Sequence, residues 1–287
     1  KYIREFDCES ISRTTYRVGA MVLQKERLLV SFEPRVLIRY TLLESGSPTL
    51  LRFRPFLAFR NVNELTHENP LANPNMEDCE NGRYNRMYPG FPNLFMQFSK
   101  AVEYHHDPQW YKDIEYRKER ERGYAFKEDL LVPGYFELPM KKGESIIFSA
   151  GVTEVKTATL KATWKKELER RNRREDMFST LKNSASQFYK REGDKCYLLA
   201  GFPWFKADAR TTFFSVASCT LDIDRPEYWD AIINKTAIEE ILKFMNGRGN
   251  EIKMSGMDEP DVLLWFIRAC QKFAHKYTVR EAADLYG

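Results

Sequence analysis

The alternation of apolar and polar positions divides the chain into two regimes. Up to about residue 152 the apolar residues come in short runs of period two, as half-buried strands require. Thr14 to Leu23, Leu28 to Phe32, Val36 to Leu43 and Thr49 to Arg60 read as strands, broken by Glu33-Pro34-Arg35 and by the turn signal Ser45-Gly46-Ser47-Pro48. Residues 61–93 read as loop, with Asn, Pro and Gly throughout. Strands return at Leu94 to Phe98, Val102 to His105, Val132 to Leu138 and Ser145 to Ala150, and the charged segment Asp113 to Asp129 reads as a long loop or arm. The pattern predicts eight to ten short strands and no helix before residue 152, hence a sandwich of antiparallel sheets.

The period then changes to that of a helix. Leu160, Trp164 and Leu168, then Phe178, Leu181, Ala185 and Phe188, mark helices over 159–191. Between them Lys165 to Asp176 carries charges of both signs and reads as a solvated helix face or connector. A short apolar stretch, Cys196 to Phe205, follows. Pro226 opens a further helix whose buried stripe is Trp229, Ile232, Ile233, Ile241, Phe244 and Met245, ending at Gly247. Pro260 opens another, with Leu263, Phe266, Ile267, Cys270, Phe273 and Tyr277 on one face. The chain thus reads as β, then linker, then α, with boundaries at 1–155, 156–194 and 195–287.

Composition narrows the function classes. A 43% apolar and 30% charged chain of 287 residues is that of a globular protein. The net charge of +4 comes from interleaved signs, which argues against nucleic acid. No apolar run approaches the ~20 residues of a membrane helix. Lys1 to Glu9 do not read as a signal peptide, and the five Cys, scattered and odd in number, read as reduced thiols, for which a cytoplasmic location is expected. The 5 Cys and 4 His show no metal-ligand spacing, so neither a disulfide framework nor a metal site is expected. Aromatic residues make up 14% of the chain, suited to a large β core or to stacking on sugars.

Three segments together carry a resemblance. They are Phe53-Arg54-Pro55-Phe56-Leu57-Ala58-Phe59-Arg60; then Glu119-Arg120-Glu121-Arg122-Gly123-Tyr124 with Lys127-Glu128-Asp129-Leu130 and Pro133-Gly134-Tyr135-Phe136; and Ala200-Gly201-Phe202-Pro203-Trp204-Phe205, followed by Arg210. In this order they resemble the bacterial and archaeal glycogen-debranching enzymes (amylo-α-1,6-glucosidases), most closely Bacteroides-like versions. The resemblance implies a β-supersandwich before an (α/α)6 toroid. It also implies hydrolysis of α-1,6-linked glucose by two carboxylates, with no metal or organic cofactor, on an α-glucan such as glycogen or limit dextrin. Six helix pairs do not fit into 195–287, and the family's opening strands would precede Lys1. The resemblance therefore implies a fragment truncated at both ends, with possible self-association through an incomplete toroid.

Its site residues follow from the same match. Asp261, in Pro260-Asp261-Val262-Leu263-Leu264-Trp265-Phe266, would be the general acid, beside Trp265. Against this stands an Asp placed in a helix first turn for local stability. Trp204 and Phe205 would wall the toroid entrance against a pyranose, or else pack in a core. Arg210 would grip the terminal glucose. The family reads Arg-Asp-Thr-Phe there, whereas this chain reads Arg210-Thr211-Thr212-Phe213; Thr211 cannot supply a carboxylate's acceptors. Arg122, Glu128 and Asp129, on the charged arm, would line the site, pin two domains together or lie on a surface loop. The second carboxylate is expected further downstream in the toroid. The alternative to a debranching glucosidase is a catalytically inactive carbohydrate-binding or interaction protein derived from that family.

Overall fold

The computed structural model describes residues 2–171, 174–202 and 204–286. The chain divides into two compact units, Lys1–Arg171 and Asn172–Gly287.

The first unit is built from β1 (Ile3–Asp7), β2 (Ser12–Val18), β3 (Met21–Leu29), β4 (Arg35–Glu44), β5 (Thr49–Phe53), β6 (Glu77–Cys79), β7 (Gly82–Asn85), β8 (Leu94–Phe98), β9 (Glu103–Glu115), α1 (Arg117–Glu121), β10 (Lys127–Met140), β11 (Ser145–Gly151) and α2 (Leu160–Glu169). One sheet has the order β1-β2-β3-β4-β11-β8-β7-β6, and a second has β5-β10-β9. Pairings within both are antiparallel. Ile146 and Ile147, consecutive on β11, show how the larger sheet buries two faces. Ile146 joins Leu42, Met96 and Phe98 against Phe136, Leu138 and Met140 of the second sheet. Ile147 joins Leu28 and Leu37 beneath Leu160 and Trp164 of α2. The expected antiparallel sandwich followed by helices is the observed architecture.

Local details depart from the alternation. Thr14 to Leu23 is a hairpin, because Gly19 takes the left-handed turn conformation (φ 60°) between β2 and β3. Within 61–93 the strands β6 and β7 pair around Asn81, whose positive φ makes the turn. The charged segment Asp113 to Asp129 is the end of the long β9–β10 hairpin and includes the short helix α1, where none was expected. The charged run after Leu160 is not wholly solvated. Glu167 is buried, accepting from the Ser31 amide (3.2 Å) and hydroxyl (2.8 Å) and pairing with Arg171 (2.8 Å). Gly134 sits at a bulge in β10 with φ 155°, where an added Cβ would lie 2.1 Å from the His105 carbonyl oxygen. Gly134→Ala should therefore cost about 1–3 kcal/mol by forcing two backbones apart, measurable by urea unfolding.

The second unit contains α3 (Met177–Ala185), β12 (Tyr189–Glu192), β13 (Lys195–Gly201), β14 (Phe205–Ala207), α4 (Ala209–Cys219), α5 (Pro226–Trp229), a π-helical stretch Asp230–Ala237, α6 (Ile238–Met245), α7 (Val262–Lys276) and α8 (Val279–Tyr286). The apolar stretch Cys196 to Phe205 is thus the middle of a small sheet, β12-β13-β14. Cys196 and Leu198 turn into a core with Phe213, Val216, Trp229, Ile232, Ile233, Val262 and Ala269. Pro226 opens its helix at the first position, as expected. The stripes are shorter and differently phased than the sequence suggested. Phe244 and Met245 are exposed, and so are Leu263 and Ile267. The buried face of α7 runs instead through Val262, Phe266, Ala269 and Phe273, at steps of four, three and four residues. Among the described residues, no helix is long and apolar enough to cross a membrane.

Candidate functional site

Helices α4 and α7 lie side by side and run the same way: Arg210 meets Asp261, Phe213 meets Phe266, and Phe214 meets Trp265. Their N-terminal ends are set by neighbouring backbone. Asp208 is the N-cap of α4 and accepts from the Thr211 amide at 2.9 Å. The Ala209 amide donates to the Ser255 carbonyl at 2.9 Å, which ties the start of α4 to the loop that leads into α7.

Asp261 is the N-cap of α7, one residue before the helix, not within its first turn. Its side chain makes no capping bond to its own helix. Oδ2 instead accepts from Arg210 Nε at 2.8 Å and from Trp265 Nε1 at 3.1 Å. Among the described residues Oδ1 has no hydrogen-bond or ion-pair partner. The pair is half-exposed, with side-chain exposures of 56% for Arg210 and 36% for Asp261. In that setting the contact serves geometry more than stability.

The structure therefore gathers three of the expected site residues, Arg210, Asp261 and Trp265. Phe214 was missed. It is 59% exposed, and its ring meets the edge of Trp265 with centroids 4.9 Å apart. It follows Arg210 by four residues, the spacing of neighbours on one helix face. The spacing becomes informative only once 209–219 is seen to be helical. Trp204 and Phe205 are both exposed, at the start of β14. The Phe205 ring lies over Gly201, where an added Cβ would come within 2.6 Å of it. Pro203 of the same segment lies outside the described residues. At 211 no acid is present. The Thr211 amide caps onto Asp208, and its carbonyl accepts from the Ser215 hydroxyl at 2.6 Å.

Arg122, Glu128 and Asp129 belong to the first unit and hold its hairpin together. Arg122 pairs with Glu119 at 3.0 Å on the surface. Glu128 is fully buried. It meets Arg60 through both oxygens, one at 3.0 Å, and accepts from the Tyr116 hydroxyl (2.5 Å) and the Thr66 amide (3.1 Å). Burial pushes its carboxyl up, but these donors outweigh burial and hold it below the ordinary value. The amides of Glu68 and Asp113 likewise hold the Asp129 carboxyl down.

The first unit is an antiparallel sandwich, and in the second unit the N-terminal ends of α4 and α7 bring together an Arg, a carboxylate and two aromatic rings. Residues 1–147, just over half of the chain, match the family described as glycogen debranching enzyme N terminal, and the chain belongs to that family. No curated protein matches the chain.

Proposed function

We propose that the chain acts in glycogen debranching of the bacterial and archaeal kind, with the paired ends of α4 and α7 holding a glucose unit of an α-glucan. Arg210 donates to sugar hydroxyls, Phe214 and Trp265 offer apolar ring surface, and Asp261 presents Oδ1. The observation that carries this reading is the Arg210–Asp261–Trp265 arrangement, in which one carboxylate oxygen is anchored by two donors and the other is free. In hydrolysis of an α-1,6 linkage, Asp261 would deliver its proton from Oδ1 to the leaving oxygen. A second carboxylate would activate water.

Thr211 favours a second reading, binding without hydrolysis, because position 211 lacks the carboxylate that completes the grip on the sugar. Incubation with a branched limit dextrin separates the two readings through the glucose released. Release that falls at least ~100-fold in Asp261→Asn supports hydrolysis with Asp261 as acid. Release unchanged in that variant overturns the role of Asp261. No release, with a tryptophan fluorescence change on adding maltooligosaccharide, supports the binding reading.

A further inference from the structure

A second polar cluster in the same unit uses none of the Arg210–Asp261 residues. On the face of the sheet β12-β13-β14 opposite Cys196 and Leu198 stand Lys190, Glu192 and Leu199, together with the buried Tyr197 and Ala207. With Lys206 and Lys253 they line a cavity of about 120 Å³. Lys190 and Tyr197 are cross-strand partners, and Leu199 pairs with Ala207, so these positions are fixed by register. Lys253 is fixed by a buried group: the carboxylate of Glu240, 1% exposed, accepts from the Lys253 amide at 2.5 Å.

Charge in the cluster is unbalanced. Glu192 accepts from Lys190 Nζ at 2.9 Å and from Lys253 Nζ at 2.5 Å. These two ammoniums hold its carboxyl at about 2. One carboxylate thus serves two lysines, each with three N–H donors. Lys206 has no hydrogen bond or ion pair among the described residues, and the Tyr197 hydroxyl has no hydrogen-bond partner there either. The cavity is far below the volume of a drug-sized pocket. Three lysines and a tyrosine lining one small cavity, with a single carboxylate among them, leave an excess of cationic donors suited to a small oxyanion. Lysine serves phosphate as a point charge without requiring a planar fork.

We propose that Lys190, Lys206, Lys253 and Tyr197 form a binding site for a phosphate group, free or esterified to a sugar. Glu192 holds the two rim lysines in place and opposes the anion, so it sets the affinity at a modest level.

The test is a titration of the whole chain with inorganic phosphate, followed through the amide resonances of Lys206, Tyr197 and Lys253. A parallel arm uses glucose 6-phosphate. Saturable shifts are expected. Lys206→Gln should weaken binding about tenfold, and Glu192→Gln should strengthen it several-fold. Tighter binding of glucose 6-phosphate assigns the site to a phosphorylated sugar, and equal binding assigns it to free phosphate. Sodium chloride at matched ionic strength should leave the resonances in place. Equal shifts with chloride, or wild-type affinity in Lys206→Gln, would overturn the proposal. So would weaker binding in a folded Glu192→Gln variant. Both substitutions lie on the surface of the unit, and an unchanged amide spectrum elsewhere shows that each variant is folded.

Discussion

Replacing Glu128 by Ala is expected to destabilise the first unit by about 3–5 kcal/mol, the cost of leaving a partly buried Arg without its counter-charge. Arg60 is 19% exposed and Glu128 not at all, so Arg60 cannot recover its lost partner fully from water. The same substitution strands the Tyr116 hydroxyl and the Thr66 amide. The effect also has a pH signature. The folded-state carboxyls of Glu128 and Asp129 lie below their ordinary values. A carboxyl depressed by folding contributes stability that is present in full above the unfolded value and is lost as pH falls through the folded one. The first unit should therefore lose stability steeply below about pH 4–5. Glu128→Gln removes one of the titrating groups, so its stability should fall less with acid than that of the wild type. Chemical denaturation at a series of pH values reads both the offset and the slope. A Glu128→Ala chain within 1 kcal/mol of wild type at neutral pH would remove the hairpin's central tie from the account.

Trp229→Ala should be comparably severe in the second unit, at about 3–5 kcal/mol. Trp229 is 2% exposed and stacks on Phe273 with centroids 5.3 Å apart and an interplanar angle of 25°. It is the largest fully buried side chain of a cluster drawn entirely from residues 188–273. Removing it leaves a cavity bounded by the π-helical stretch and α7, whose lining cannot collapse without shifting both. Hydrogen exchange should show protection lost across residues 189–276, with the sandwich strands β4, β8 and β11 unaffected. Equal loss in the strands would contradict the separation of the two cores.

The sandwich was legible because strand alternation and turn chemistry agree there. Leu37 to Leu42 and Ile146 to Phe148 carry apolar residues at both parities, since one sheet is covered on both faces, and the segments still read as strands. Where the reading failed, tertiary burial had overridden local preference. Thr211, Thr212, Phe213 and Ser215 are poor helix formers, yet α4 forms because Thr212, Phe213 and Val216 are buried and Asp208 caps its first turn. Missing that helix hid Phe214. The exposed Leu263 and the buried Ala269 show the limit of reading a stripe from residue size alone: phase, not hydrophobicity, decides which side of α7 faces inward. Asp261 and Trp265 could be selected from their motif, but their joining to Arg210 could not. That contact spans 51 residues and depends on α4 and α7 running in parallel. Glu128 and Asp129 were singled out for their charge. The backbone amides and the Arg60 side chain that engage them come from 60–68 and 113, a pairing that only the β9–β10 hairpin fold reveals.

The claim that most needs testing is that the ends of α4 and α7 hold an α-glucan. A calorimetric titration of the chain with maltooligosaccharide, repeated with Arg210→Ala, tests it directly. The expected result is saturable binding that Arg210→Ala weakens at least ~10-fold, equivalent to about 1.4 kcal/mol, with the fold intact. Binding that is absent in the wild type, or undiminished in Arg210→Ala, would contradict it.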